Sequence, residues 1–131
     1  MKKPKINIKV IKEDLGYSAF AQVGEKLIAT QGDTFDELKE MVLDVVNLSF
    51  EEEDFIYEIG DIKFEFDLES FFDFYKVINA KALSERIGMN QSLLAQYIKG
   101  IKKPSASQTK RILEGVHQIG KELSEVRFLI S

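Results

Sequence analysis

The residues of this 131-residue chain that could do chemistry are hydrogen-bonding side chains rather than nucleophiles. There is no Cys, and the single His117 falls mid-helix with no Ser, Cys or second His placed to work with it. That leaves no disulfide, no thiolate zinc site, no His-rich metal site and no cysteine nucleophile. What remains is a polar set at helical spacing. Gln91, Ser92, Ala95 and Gln96 lie on the outward side of a short segment whose Leu94, Tyr97 and Ile98 point inward. Gln can pair bidentately with adenine N6 and N7, and Ser can bond either base edge, so Gln91, Ser92 and Gln96 are candidates for reading bases. Lys99, Lys102 and Lys103 follow at once and, with Asn90 and Lys81, are candidates for holding the phosphate backbone. Two Gln and a Ser also make an ordinary solvated helix face, so the surrounding elements must decide between the readings.

Those elements spell two short helices joined by a tight turn. Asn79 can cap the first, and Ala82, Leu83 and Ile87 give it an apolar face. Gly88 stands where the backbone must reverse with positive φ, Met89 fills the corner, and Asn90 caps the second helix, which Gly100 closes. After Pro104, Ser105 and Gln108 form a possible capping box. The stripe Ile112, Leu113, Val116, Ile119, Leu123 and Val126 predicts a long last helix that closes the module and can also pair with a second copy.

Charge reinforces the division. The formal net charge of −4 hides 8 Lys and 18 Asp+Glu in residues 1–75, a net of −10, against 7 Lys, 3 Arg and 4 Asp+Glu in residues 76–131, a net of +6. A basic back on an acidic protein is the footprint of contact with a polyanion. No apolar run approaches the ~20 residues that cross a bilayer, and the alternating N-terminus lacks a signal-peptide core. The expected setting is cytoplasmic. With 44% hydrophobic and 31% charged residues, the chain has enough apolar surface to fold.

The acidic front has a different period. Ile6, Ile8 and Val10, then Tyr17, Ala19, Ala21 and Val23, alternate with their neighbours as half-buried strands do, and Leu27–Gln31 supplies a third. The turns at Leu15-Gly16 and Gly24-Glu25 predict an antiparallel meander. Thr34 with Glu37 predicts a capped helix whose Phe35, Leu38, Val42, Val45, Val46 and Ser49 share one face, covering the sheet. Ile62, Phe64, Phe66 and Leu68 predict a fourth strand, running into a helix with Leu68, Phe71, Phe72 and Tyr75 on one side. Phe55–Ile59 stays open between an extended arm and an early start to that strand. Seven Phe between positions 50 and 74 predict a core shared by the front sheet and this helix, with some of them available to an interface. The fold class expected is α+β, with a front domain over residues 1–68 and an all-α domain over 69–131.

Residues 69–123, with Ala82, Gly88, Leu94, Tyr97 and Gly100 at family spacing, resemble the Xre/Cro-like helix-turn-helix DNA-binding domains. The first residue of the leading helix, where phage-type repressors often carry a phosphate-binding Gln, is Ala80 here, and Lys81 beside it is the candidate substitute. The segment from Ile11 to Leu38, through Glu13-Asp14, Gly16-Tyr17, Ala19, Thr30, Gly32-Asp33-Thr34 and Glu37, resembles the HicB antitoxins. This second resemblance covers about residues 3–68 and implies a reduced RNase H-like domain. The loop Gln22–Lys26 departs from the family, whose members often carry Pro residues and a Gly-Cys pair there.

Together the resemblances imply an antitoxin that blocks a small basic HicA-type mRNA interferase and represses its own operon. It would bind operator DNA as a homodimer or higher oligomer, with no catalysis, cofactor or metal. The alternative is a helix-turn-helix regulator whose front senses a ligand or another protein, with no toxin. An RNase H-like fold also raises the question of a two-metal nuclease, for which Glu13, Asp14, Asp33 and Asp36 are the nearby carboxylates. Turn formation and helix initiation account for all four.

Overall fold

The computed structural model describes residues 2–130 and is α+β, a four-stranded mixed sheet with five α-helices among the described residues. The chain divides into two compact units, Met1–Phe74 and Tyr75–Ser131. The division thus falls at Phe74-Tyr75 rather than after Leu68. No helix among the described residues is long and apolar enough to cross a membrane.

In the first unit, β1 (Ile6–Lys12), β2 (Tyr17–Val23) and β3 (Lys26–Gly32) form the antiparallel meander that the alternation predicts. β4 (Ile62–Phe66) returns parallel to β1, with Ile6 opposite Ile62 and Val10 opposite Phe66, giving the order β3-β2-β1-β4. A parallel partner requires a long crossover. α1 (Phe35–Ser49) and the irregular arm after it supply that crossover.

Thr34 Oγ1 accepts the Glu37 backbone N–H at 3.1 Å, and Phe35, Leu38, Val42 and Val46 then lie buried against Ile6, Ile8, Val10, Ala19, Ala21 and Ile28. Each fully buried aliphatic side chain contributes ~1.5–3 kcal/mol, so this one layer dominates the stability of the unit. Of the seven Phe, Phe50 and Phe72 are buried and Phe55, Phe64, Phe66, Phe71 and Phe74 are half-buried, all in this unit.

The structure departs from the sequence reading in one segment and decides between two open alternatives in another. β4 stops at Phe66 because Asp67 becomes a helix cap: its Oδ1 accepts the Ser70 N–H at 2.8 Å and its carbonyl the Phe71 N–H at 3.0 Å. The helix that follows, α2 (Leu68–Phe74), belongs to the front unit. Buried Ser70 accepts the Lys12 backbone N–H at 2.8 Å, Asp73 pairs with Lys12 Nζ at 2.7 Å, and the Phe74 ring meets Phe35 edge-on at 4.6 Å. Phe55–Ile59 forms no strand: it is an arm held by Asn47, whose Oδ1 accepts the Tyr57 N–H at 2.7 Å while its Nδ2 donates to the Tyr57 carbonyl at 3.1 Å. The Tyr57 hydroxyl donates to the Pro4 carbonyl at 2.7 Å, closing the arm over the core.

The second unit comprises α3 (Ala80–Ile87), α4 (Gln91–Ile98) and α5 (Ala106–Glu125) around Leu83, Met89, Leu94, Tyr97 and Ile112. On α3 the inward position next to Leu83 is Ser84, not Ala82: Ser84 is buried with its hydroxyl donating to the Lys81 carbonyl at 2.6 Å, and Ala82 is exposed. On α5 only Ile112 of the apolar stripe is buried. Val116 and Ile119 are half-buried, Leu113 and Leu123 are exposed, and Val126 lies past the helix end. The reason is length. An 8-residue α3 spans ~12 Å, whereas the 20 residues of α5 span ~30 Å, so the far half of the stripe overhangs its partner.

Candidate nucleic-acid interface

The turn between α3 and α4 is fixed by backbone geometry at its centre. Gly88 has φ +67°, a conformation that costs an L-residue ~1–2 kcal/mol, and its N–H returns to the Glu85 carbonyl at 3.3 Å. The Met89 N–H reaches the Ser84 carbonyl at 2.8 Å, and its side chain is buried in the corner. These two bonds make a Schellman end, which satisfies carbonyls that the helix leaves unpaired. Arg111 on α5 completes it, donating from Nε to the Ile87 carbonyl at 2.9 Å and from Nη2 to the Gly88 carbonyl at 2.8 Å. Sequence reasoning missed this positioning residue because its partners are carbonyls more than 20 positions away, which no local pattern reveals.

α4 begins sharply as a result. Asn90 Oδ1 accepts the N–H groups of Ser92 at 2.8 Å and Leu93 at 3.2 Å, so this oxygen is committed to the cap and only Nδ2 is left to donate to a phosphate. Gln91 and Ser92 are exposed at the helix N-terminus, with Leu94 and Tyr97 buried beneath. Gln96 departs from its expected outward placing, being half-buried. Ser92 and Gln96 are four apart and share a stripe, while Gln91, five from Gln96, is turned ~140° from it. Of the candidates for base reading, Ser92 and Gln96 are thus the neighbouring pair, and Gln91 stands at the leading edge.

The end of α4 brings the lysines to the same place. Gly100 takes φ +75°, and the chain doubles back so that the N–H groups of Ile101 and Lys102 both reach the Gln96 carbonyl, at 2.9 and 3.3 Å. The Lys102 backbone is therefore one hydrogen bond from that of Gln96, with Lys99 and Lys103 exposed on either side. Lys81 is exposed on α3, apart in sequence from the α4 group. None of Lys81, Lys99, Lys102 and Lys103 forms an ion pair among the described residues.

Electrostatics favour one class of ligand. No acidic residue lies between Glu85 and Glu114, a stretch that holds Arg86, Lys99, Lys102, Lys103, Lys110 and Arg111. Within it, at the start of α5, Ser105 Oγ caps the Gln108 N–H at 3.2 Å, and a hollow of about 530 Å³ is lined by Ser105, Ser107, Gln108, Lys110, Arg111 and, at the end of the stretch, Glu114. Hydroxyls, amides and cations, with Glu114 the one carboxylate in the lining of this hollow, suit an anionic polymer. No protein-family model matches the chain, and neither does any curated protein or solved structure.

Glu13 and Asp14 occupy the β1–β2 turn, where the Glu13 N–H bonds the Gly16 carbonyl at 3.0 Å; Asp33 precedes α1; and Asp36, in its first turn, pairs with Lys39 at 3.4 Å. Among the described residues no three His, Asp or Glu side chains are grouped so as to hold a metal ion. His117 is exposed on α5.

Proposed function

We propose that this protein is a HicB-type antitoxin and autorepressor. The second unit acts as an Xre/Cro-like helix-turn-helix domain that binds operator DNA, and the first, a reduced RNase H-like domain, neutralises a HicA-type mRNA interferase. The observation that carries this reading is the capped N-terminus of α4, presenting Gln91 and Ser92 within a stretch of chain that has no acidic residue from Arg86 to Leu113. A helix N-terminus with polar side chains and flanking cations is the geometry that enters a major groove.

Strand order β3-β2-β1-β4, with β4 parallel to β1 and a helix in the crossover, supports the reading of the front. One such module reads only a few base pairs, so a homodimer or higher oligomer on a two-fold operator supplies the specificity. The overhanging apolar half of α5 is the surface proposed for it. Neither role requires catalysis, and both belong to a cytoplasmic protein.

The test has two arms. The full chain is titrated against the DNA upstream of its own gene and against scrambled DNA, and it is co-expressed with any small basic protein whose gene adjoins its own, the lack of such a gene counting against the antitoxin role. Specific retention of the upstream fragment with rescue of growth supports the reading. Equal affinity for both DNAs overturns the repressor role, and failure to rescue overturns the antitoxin role.

A further inference from the structure

The charge of the front unit is concentrated in one part of it. Residues 33–61 hold 11 Asp+Glu against Lys39 alone, a net of −10, whereas residues 1–32 and 62–75 together hold 7 Lys and 7 Asp+Glu and are neutral. In the fold, the charged part is α1 and the arm that follows it. Lys39 is taken by Asp36 and the Phe35 ring, so Glu37, Glu40, Asp44, Glu51, Glu52 and Asp54 have no ion-pair partner among the described residues.

The same part exposes apolar side chains. Glu37, Met41, Asp44 and Leu48 follow one another along a single outward stripe of α1, with Met41 40% and Leu48 70% exposed, and Ile56 on the arm is 78% exposed. Beside Leu48, a hollow of about 380 Å³ is lined by Asn47, Glu51, Asp54, Phe55 and Ile56. It is preformed, because the paired Asn47–Tyr57 hydrogen bonds fix the arm against the last turn of α1, and Phe50 backs Phe55 at 6.2 Å. A lining that joins Phe55 and Ile56 with the exposed Glu51 and Asp54 suits a long cationic side chain, whose stem packs on apolar groups while its charge stays in water.

We propose that this stripe and hollow form a docking surface for a basic protein. Charge complementarity selects that occupant: a second copy meeting it through the same face would bring −10 against −10, and a nucleic acid would be repelled. The other uncovered face of the unit, the outer side of the sheet with Ile11, Phe20 and Leu27, is apolar too, but there Lys9 and Lys63 face Glu65 alone, so it lacks the field to steer a cation. The inference rests on the antitoxin reading, in which this surface is where the toxin binds. It then competes with RNA for the toxin's basic face.

The experiment titrates the full chain with the purified basic protein encoded beside its gene, comparing wild type, a Leu48→Lys/Ile56→Lys pair and a Phe20→Lys/Leu27→Lys pair, with melting curves confirming that each is folded. The first pair should weaken binding at least ~100-fold and the second less than ~3-fold. The wild-type association rate should fall at least ~10-fold between about 50 and about 300 mM NaCl. Loss of binding in the sheet pair alone, or equal loss in both pairs, overturns this surface and leaves the antitoxin reading intact. No binding by wild type overturns both.

Discussion

Arg86 on α3 and Glu122 on α5 meet fork to fork, Nη1 on Oε2 at 2.7 Å and Nη2 on Oε1 at 2.8 Å. This pair ties the outer end of α5 to the helix that precedes the turn. The Arg86 guanidinium, with help from Gln118, holds the Glu122 carboxyl down at about 2, against an ordinary value of 4.5.

A depressed carboxyl stabilises the fold in its ionised form, so the contribution of Glu122 is complete above pH 4.5 and lost as the pH falls toward 2. Both partners are well exposed, which keeps the effect small. Glu122→Gln should lower the melting temperature slightly at pH 7, and the gap from wild type should close on acidification to about pH 2. An unchanged gap across that range would refute the assignment.

Two glycines of α5 should respond in opposite directions to the same substitution. A Cβ at Gly120 meets nothing within 4 Å, so Gly120→Ala should stabilise by ~0.5–1 kcal/mol through helix propensity. At Gly115 the added methyl would run into Ile87 Cγ2 and come within 3.3 Å of Leu83 Cδ1, where α3 approaches most closely. Overpacking of ~1–3 kcal/mol should exceed the propensity gain there, so Gly115→Ala destabilises. Urea unfolding of the two variants checks the sign of each.

Asn47 is the anchor of the arm. Asn47→Ala removes the acceptor of the Tyr57 N–H and the donor to the Tyr57 carbonyl, next to a buried ring, and should cost ~1–3 kcal/mol. Asn47→Asp keeps the acceptor but sets a carboxylate oxygen against the Tyr57 carbonyl in the last turn of α1, so it should cost at least as much. Equal stability of Asn47→Ala and wild type in urea would show that the arm is not held in this way.

Period and capping made most elements legible: alternation marks β1 to β4, and Thr34, Asn79, Asn90 and Ser105 each cap the helix they precede. Non-local partners were not legible. The run Leu68, Phe71, Phe72 shows a helix, but only the bonds from Ser70 and Asp73 to Lys12 decide which core it joins. Tyr57 gives no periodic signal because a side chain, Asn47, takes the place of a strand partner. In the candidate interface the exposure of Gln91 and Ser92 could be read from spacing, whereas Ala95 and Gln96, expected outward with them, are half-buried. The return of the chain from Gly100 to Gln96 depends on a left-handed residue whose effect lies in three dimensions.

That return sets up the last expectation. Gln96 and Lys102 share a backbone hydrogen bond, yet their side chains should act differently on DNA. A base-edge contact discriminates among sequences, whereas a phosphate contact is made on every sequence. Gln91→Ala and Gln96→Ala should therefore each lose ~1–3 kcal/mol on the operator and little on scrambled DNA, with the smaller loss at half-buried Gln96. Lys102→Ala should weaken both DNAs alike and reduce the salt dependence by about one phosphate contact. Binding of the three variants to operator and scrambled duplexes over a salt series checks this, and uniform weakening by all three would refute the division between base reading and backbone holding.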